Sequence, residues 1–264
     1  MITVLGASGN TGGRVVRRLR EGGEAVRAVG RDAGRLADAA AHGAEPHVAD
    51  ITDRGALTRA LAGADAAYVL MPLDLAAPGY RAQQEQVGTA IAGALADARV
   101  PHVVALSSLG AELSSGTGFL ETLHEQEQRL AALDASVVVL RPGLFFESFL
   151  PALAPMLATG VHHDTIDPDA AGVRELPGPE ELTVPDAVAR LGAAIGRPGL
   201  RYERPPEDVM RAVLVEAGLP ADLTEENLAM NAAFNRGVVQ RHGVGVLGTP
   251  TTIEEWARRA VPVA

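Results

Sequence analysis

Two hydrophobic rhythms alternate along the first 150 residues. Short apolar runs bounded by Gly, Pro or Asp, namely MITVLG, EAVRAVG, EPHVAD, DAAYVLM, PHVVALSS and SVVVLRPG, have the length and β-branched content of strands. Between them lie GGRVVRRLREGG, RGALTRALAGAD, YRAQQEQVGTAIAGALADAR and FLETLHEQEQRLAALD, in which apolar residues recur at helical spacing. Leu57, Ala60, Leu61 and Ala64 follow one another at intervals of three and four, so they share one buried stripe. Strands alternating with helices predict an α/β fold: a doubly wound parallel sheet over residues 1–150, with helices on both faces.

After Phe149 the rhythm loosens into Pro-rich connections, short helices and one strand at VRELPG. The expectation for 151–264 is a smaller, mostly helical substrate lobe that returns one strand, around 173–177, to the main sheet. TVPDAVARLGAAIG opens as a capped helix, with Thr183 as cap, Pro185 in the first turn and Asp186 three residues after the cap. TTIEEWARRA repeats the pattern with Thr252 and Glu255, so the tail is expected to be a docked helix.

Composition narrows the chemistry. At 264 residues, 47% hydrophobic and 21% charged, the chain can bury a full core. No stretch approaches the roughly 20 uninterrupted apolar residues that cross a bilayer, and the N-terminus reads directly as a strand, so a cytoplasmic protein without a membrane partner is expected. A net charge of −10 argues against a nucleic-acid partner. With no Cys there is no thiolate nucleophile, so redox chemistry must come from a bound cofactor. All 23 basic residues are Arg, which removes every mechanism that needs a lysine.

The stretch GASGNTGG stands directly after the first strand and before the first helix. Gly6 permits a tight turn, Gly9 lets backbone approach a pyrophosphate, and Gly12 or Gly13 allows the helix to pack closely on the strand. The helix N-terminus then offers N–H groups, those of Asn10 and Thr11, to negative charge. Gly6, Ser8, Gly9, Asn10, Thr11 and Gly12 are therefore expected to bind a dinucleotide in a Rossmann-like fold. At the end of the second strand, where an acidic residue would bond a ribose 2′-hydroxyl, this chain has Arg31 followed by Asp32. A guanidinium forms two charge-assisted bonds to a 2′-phosphate, so NADP(H) is favoured over NAD(H), unless Arg31 is only a solvated surface residue.

With VLGASGNTGG, VRAVGRD, ADITD, YVLMP, HVVALSSLGA, VVVLRPGLFFES and GTPTTIEEWARR in this order, the chain resembles the NmrA-like, atypical branch of the short-chain dehydrogenase/reductases. The resemblance implies that Asp50 and Ile51 lie against the adenine and that Met71 and Pro72 border the ribose and nicotinamide. It further implies that Ser107 approaches the nicotinamide ribose and that Pro142 and Gly143 turn the chain over the nicotinamide. Leu144 to Phe149 would form part of a substrate wall, with Phe145, Phe146 and Phe149 alternatively core residues. The family holds quinone reductases, reductases of plant phenolics and catalytically silent redox sensors. Related chains carry a longer stretch where this one has VHHDTIDPDAAG.

The wider superfamily uses Tyr-x-x-x-Lys on the helix after the fifth strand, and here that helix has neither residue. Conjugated acceptors need less proton assistance, because the product oxyanion is already delocalised and proximity supplies most of the rate. His124 is the best-placed titratable group, sharing a helix face with Glu127, although an exposed His–Glu surface pair is the plainer alternative. Ser107 and Ser108 could polarise a carbonyl or serve ribose and backbone. His162, His163, Asp164, Asp167 and Asp169 invite a metal reading, but adjacent histidines in a loop do not share an ion easily, so a solvated loop is expected. The resulting expectation is an NAD(P)H-dependent oxidoreductase passing hydride to a quinone, enone or similar small molecule, without flavin or metal. An NADP(H) sensor with a regulatory protein partner is the alternative, an isomerase or epimerase a third; a homodimer remains open.

Overall fold

The computed structural model describes residues 1–73, 79–168, 182–239 and 250–261. All six expected strands of the N-terminal part form: β1 (Ile2–Leu5), β2 (Val26–Gly30), β3 (Glu45–Val48), β4 (Ala66–Leu70), β5 (His102–Leu106) and β6 (Ser136–Leu140). They make one parallel sheet in the order β3-β2-β1-β4-β5-β6. The order reverses between β1 and β4, which pair with Ile2 beside Ala66 and Val4 beside Tyr68. At such a reversal the crossovers leave in opposite directions and open a crevice at the strand C-termini.

The period of two along each strand divides the sheet into its faces. Leu5, Val29, Val69, Val103 and Ala105 point to one side, against Leu57 and Leu61 of α3 (Arg54–Leu61), Val87, Ile91 and Leu95 of α4 (Tyr80–Ala98) and Leu130 of α5 (Phe119–Ala131). Val4, Ala28 and Tyr68 point to the other, against Val16 of α1 (Asn10–Glu21) and Ala39 of α2 (Ala37–Ala41). The stripe read from the sequence is buried, with Ala64 just beyond the end of α3. The helical turn Gly34–Leu36 and α2 have no amphipathic signature, because Leu36 is their single large apolar residue; packing of that side chain makes them.

The chain forms two compact units, Met1–Ser107 with Thr122–Leu140, and Ser108–Glu121 with Arg141–Ala264. The second contains a helical turn, Phe146–Phe149, then α6 (Leu153–Thr159), β7 (Val161–His163), α7 (Val184–Ala194), β8 (Arg201–Glu203), α8 (Glu207–Glu216), α9 (Ala221–Asn235) and α10 (Ile253–Ala260). Its core joins α7 and α10 through Val188, Leu191, Ile253 and Trp256. Thr183 caps α7 through the Asp186 N–H, and Thr252 with Glu255 forms a reciprocal capping box on α10, both as the sequence predicts.

The first three residues of the segment expected to be a solvated loop, Val161–His163, instead form strand β7, paired in parallel with β8, His162 beside Tyr202. Alternation turns His162 inward and His163 outward, where it faces Glu203 at 3.5 Å. Two side chains on opposite faces cannot converge on one ion. Asp169 and the strand expected around 173–177 lie outside the described residues. No helix among the described residues is long and apolar enough to cross a membrane.

Candidate functional site

The strand-to-helix turn after β1 is shaped by what its glycines lack. Gly6 has φ +66°, a backbone region that side-chain-bearing residues rarely adopt. Its carbonyl accepts the Gly9 N–H at 2.9 Å, closing the turn. A Cβ at Gly12 would stand 2.2 Å from the Gly6 oxygen, so only glycine lets α1 begin this close to the strand it follows. Gly9 is the N-cap, no side chain caps the helix, and no acidic residue lies in its first turn. The first amide groups of α1 and the positive end of its dipole are thereby left for an anion.

This turn forms one wall of a cleft of about 240 Å³ over the C-terminal ends of β1, β2 and β4, with Ser8, Gly9 and Thr11 in the lining. Ala49, Ile51 and Leu57 give it an apolar side and Leu70 and Pro72 continue it onto β4. At the β2 end it is lined by Arg31, Asp32 and Arg35. The Oδ1 of Asp32 accepts the Arg35 backbone N–H at 3.0 Å and starts the turn Gly34–Leu36. That turn carries Arg35 to the same mouth as Arg31, an arrangement suited to a phosphate.

Around the β4 and β5 ends, buried polar side chains hold the rim. Gln84 of α4 donates to the Pro72 carbonyl at 2.9 Å. Ser107, the residue after β5, donates its hydroxyl to Glu127 of α5 at 2.6 Å. Tyr80 and Thr122 join α4 to α5 through a hydroxyl pair at 2.9 Å.

A family model described as NAD(P)H-binding matches residues 6–148, which include every cleft-lining residue named above. The chain belongs to this NAD(P)H-binding family. It is 31% identical to a (4-alkanoyl-5-oxo-2,5-dihydrofuran-3-yl)methyl phosphate reductase of Streptomyces griseus, over 99% of this chain and 95% of that protein. It is 27% identical to an NAD(P)H azoreductase of Xenophilus azovorans, over 89% of this chain and 86% of that one. The fold matches that of the Escherichia coli NADPH-dependent quinone oxidoreductase in complex with NADPH, with a TM-score of 0.79 at 22% identity, covering 98% and 99% of the two chains.

Apart from Ser107 and Pro142, the expected cofactor residues fall into three groups. Gly6, Ser8, Gly9, Thr11, Arg31, Ile51 and Pro72 line the cleft. Gly12 acts beneath it by its missing Cβ, and Asn10 is the first residue of α1. Asp50 and Met71 stand outside the lining. The Asp50 carboxylate accepts the Thr52 N–H and hydroxyl at 2.8 and 2.7 Å. Those two bonds, followed by the field of Arg31, hold it below the usual carboxylate range, and Ala49 and Ile51 on either side supply the surface instead. Met71 packs against the core. Arg35 was not foreseen, although a basic residue four positions after Arg31 was a readable signal.

The catalytic candidates are redistributed by burial. Glu127 is buried and accepts the Ser107 hydroxyl, so it is not the exposed surface glutamate of the plainer alternative. His124 lies half-buried one turn earlier on α5. The Ser108 hydroxyl donates to the Leu109 carbonyl at 3.2 Å. Pro142 is buried in the second unit and its carbonyl accepts the Leu109 N–H at 2.8 Å. Phe149 belongs to that unit's core, edge-on to His162 at 5.4 Å, so core packing is the role the structure gives it. Phe146 packs on Trp256 at 5.8 Å, and Phe145 is half-buried. The three tyrosines are all in structural use: Tyr68 is buried among the residues facing α1, Tyr80 bonds Thr122, and Tyr202 donates to the carbonyls of Asp164 and Ile166.

Proposed function

We propose that this protein is an NADPH-dependent reductase that passes hydride directly to an electron-poor conjugated acceptor such as a quinone or enone. The observation that carries the reading is the cleft itself: an uncapped helix N-terminus at one wall and two guanidinium groups, Arg31 and Arg35, at the β2 end. The amides of the Gly6–Thr11 turn would hold the diphosphate, Arg31 and Arg35 the 2′-phosphate, and Ala49 and Ile51 the adenine. When bound, the reduced nicotinamide supplies the hydride.

The chain's own residues then have little acid–base work to do. A lysine-tuned phenol is absent by composition, and the three tyrosines are in structural use. Acceptors whose reduced form spreads its negative charge over a conjugated system take up a proton from water without such a relay, so orientation becomes the main contribution of the protein. The azo, dihydrofuranone and quinone acceptors named for the relatives share this electron-poor, conjugated character. His124, half-buried on α5, is the side chain of choice for a proton donor.

The test is steady-state oxidation of NADPH and of NADH by the purified protein with a panel of quinones, enones and azo dyes. Turnover with conjugated acceptors and a preference for NADPH are expected. Tight NADPH binding with no turnover across the panel would overturn the reductase reading in favour of cofactor sensing; turnover with equal use of NADH would overturn the assignment of Arg31 and Arg35.

A further inference from the structure

We infer that Glu127 is a positioning residue which fixes Ser107 as a hydrogen-bond acceptor toward the second nucleoside of the bound dinucleotide. The inference rests on the dinucleotide reading above and adds to it the polarity of one contact. It starts from an apolar surface. Leu130, one turn after Glu127 on α5, is 1% exposed in the core cluster that includes Val87, Ile91 and Val103. Glu127 itself is only 9% exposed. A carboxylate brought to the edge of such a surface loses hydration, and this is tolerated where hydrogen bonds replace the water. The Ser107 hydroxyl provides one at 2.6 Å.

The position of Ser107 gives the bond its meaning. Leu70 pairs with Leu106, so Ser107 stands level with Met71 and next to the strand end that carries Pro72 into the cleft. With neighbouring strands about 4.8 Å apart, Ser107 lies two strands, about 10 Å, beyond the Gly6 turn on the side away from Arg31. A dinucleotide whose diphosphate rests on that turn and whose first nucleoside runs toward β2 carries its second nucleoside across β4 toward β5.

A serine hydroxyl has one proton and two lone pairs. With the proton given to Glu127, Ser107 offers only lone pairs to the cleft, and a carboxylate partner makes that oxygen a better acceptor. Ser107 therefore receives a ribose hydroxyl or a carboxamide N–H. It does not donate to the carbonyl of an acceptor, which removes it as the group that polarises substrate. Gln84 does the parallel work on the next strand, where its bond to the Pro72 carbonyl holds the rim in place.

Two probes separate the halves of the cofactor: NADPH, and adenosine 2′,5′-bisphosphate, which lacks the second nucleoside. Calorimetry on Ser107→Ala and Glu127→Gln is expected to show NADPH weakened about tenfold in each, because the first removes the acceptor oxygen and in the second the amide N–H can turn to that oxygen and occupy it. The bisphosphate should bind within about twofold of wild type, the double variant should be no weaker than the weaker single one, and Ser107→Thr should restore NADPH affinity. Unchanged NADPH affinity in Glu127→Gln, multiplicative losses in the double variant, or equal losses for both probes would each overturn the inference. If Glu127→Gln does not fold, Ser107→Ala and Ser107→Thr decide it by the same comparison. A wild-type protein that binds neither probe would instead remove the dinucleotide reading itself.

Discussion

On the proposed reading, the choice between the two nicotinamide cofactors comes down to single side chains. Arg31 and Arg35 line the same mouth, and Asp32, which would repel a phosphate, is held by the Arg35 N–H. Each guanidinium that bonds a 2′-phosphate is worth about 1.5–3 kcal/mol. Arg31→Ala and Arg35→Ala should therefore each lower NADPH affinity by roughly tenfold or more while leaving NADH affinity nearly unchanged, as titration calorimetry would show. A second residue-scale prediction concerns His162, whose ring is buried against Phe149 and Tyr202. Burial, followed by the charge of His163, lowers its pKa from 6.5 to about 4. Between those values the unfolded chain binds a proton that the folded chain refuses, so stability falls as pH drops through this window, by up to about 3 kcal/mol. Urea denaturation of wild type and His162→Phe should show the variant losing less stability on going from neutral pH to about pH 4.5.

Secondary elements meet where side chains are smallest or best capped. At the first crossover, a methyl group on Gly12 would collide with the Gly6 carbonyl at 2.2 Å, while one on Gly13 would come no closer than 3.3 Å to Ala7. Gly12→Ala should cost about 2–3 kcal/mol in chemical denaturation and abolish NADPH binding, because α1 must retreat from the strand whose turn it shares. Gly13→Ala is the milder control. In the second unit α10 depends on its capping box and on the ion pair of Arg190 with Glu254, where the guanidinium holds the carboxyl down at about 2. Thr252→Ala should lower stability by about 1 kcal/mol, measurable as a shift in denaturation midpoint without change of slope.

On the scale of the whole molecule, the cleft is formed by four separate stretches of chain from one compact unit. A ligand that bridges them stabilises the folded state by mass action, about 2.7 kcal/mol at a hundredfold excess over its dissociation constant. For a chain of this size the calorimetric midpoint should rise by roughly 5–10 °C with saturating NADPH. No shift with either reduced or oxidised cofactor would contradict the assignment of the cleft.

What the sequence determined by itself was everything carried by neighbours along the chain. Strand and helix periods, the glycine turn, the caps at Thr183 and Thr252 and the basic residue after β2 are local features, because backbone conformation and capping act within a few residues. What tertiary structure alone decided was which polar residues meet. The bond from Ser107 to Glu127 spans 20 positions and that from Gln84 to Pro72 spans 12, and no periodicity announces either. His162 and His163 read as a polar loop until pairing with β8 turned one of them inward. Burial is a property of the assembled chain, and it is burial that made a surface glutamate into a partner for the rim of the cleft.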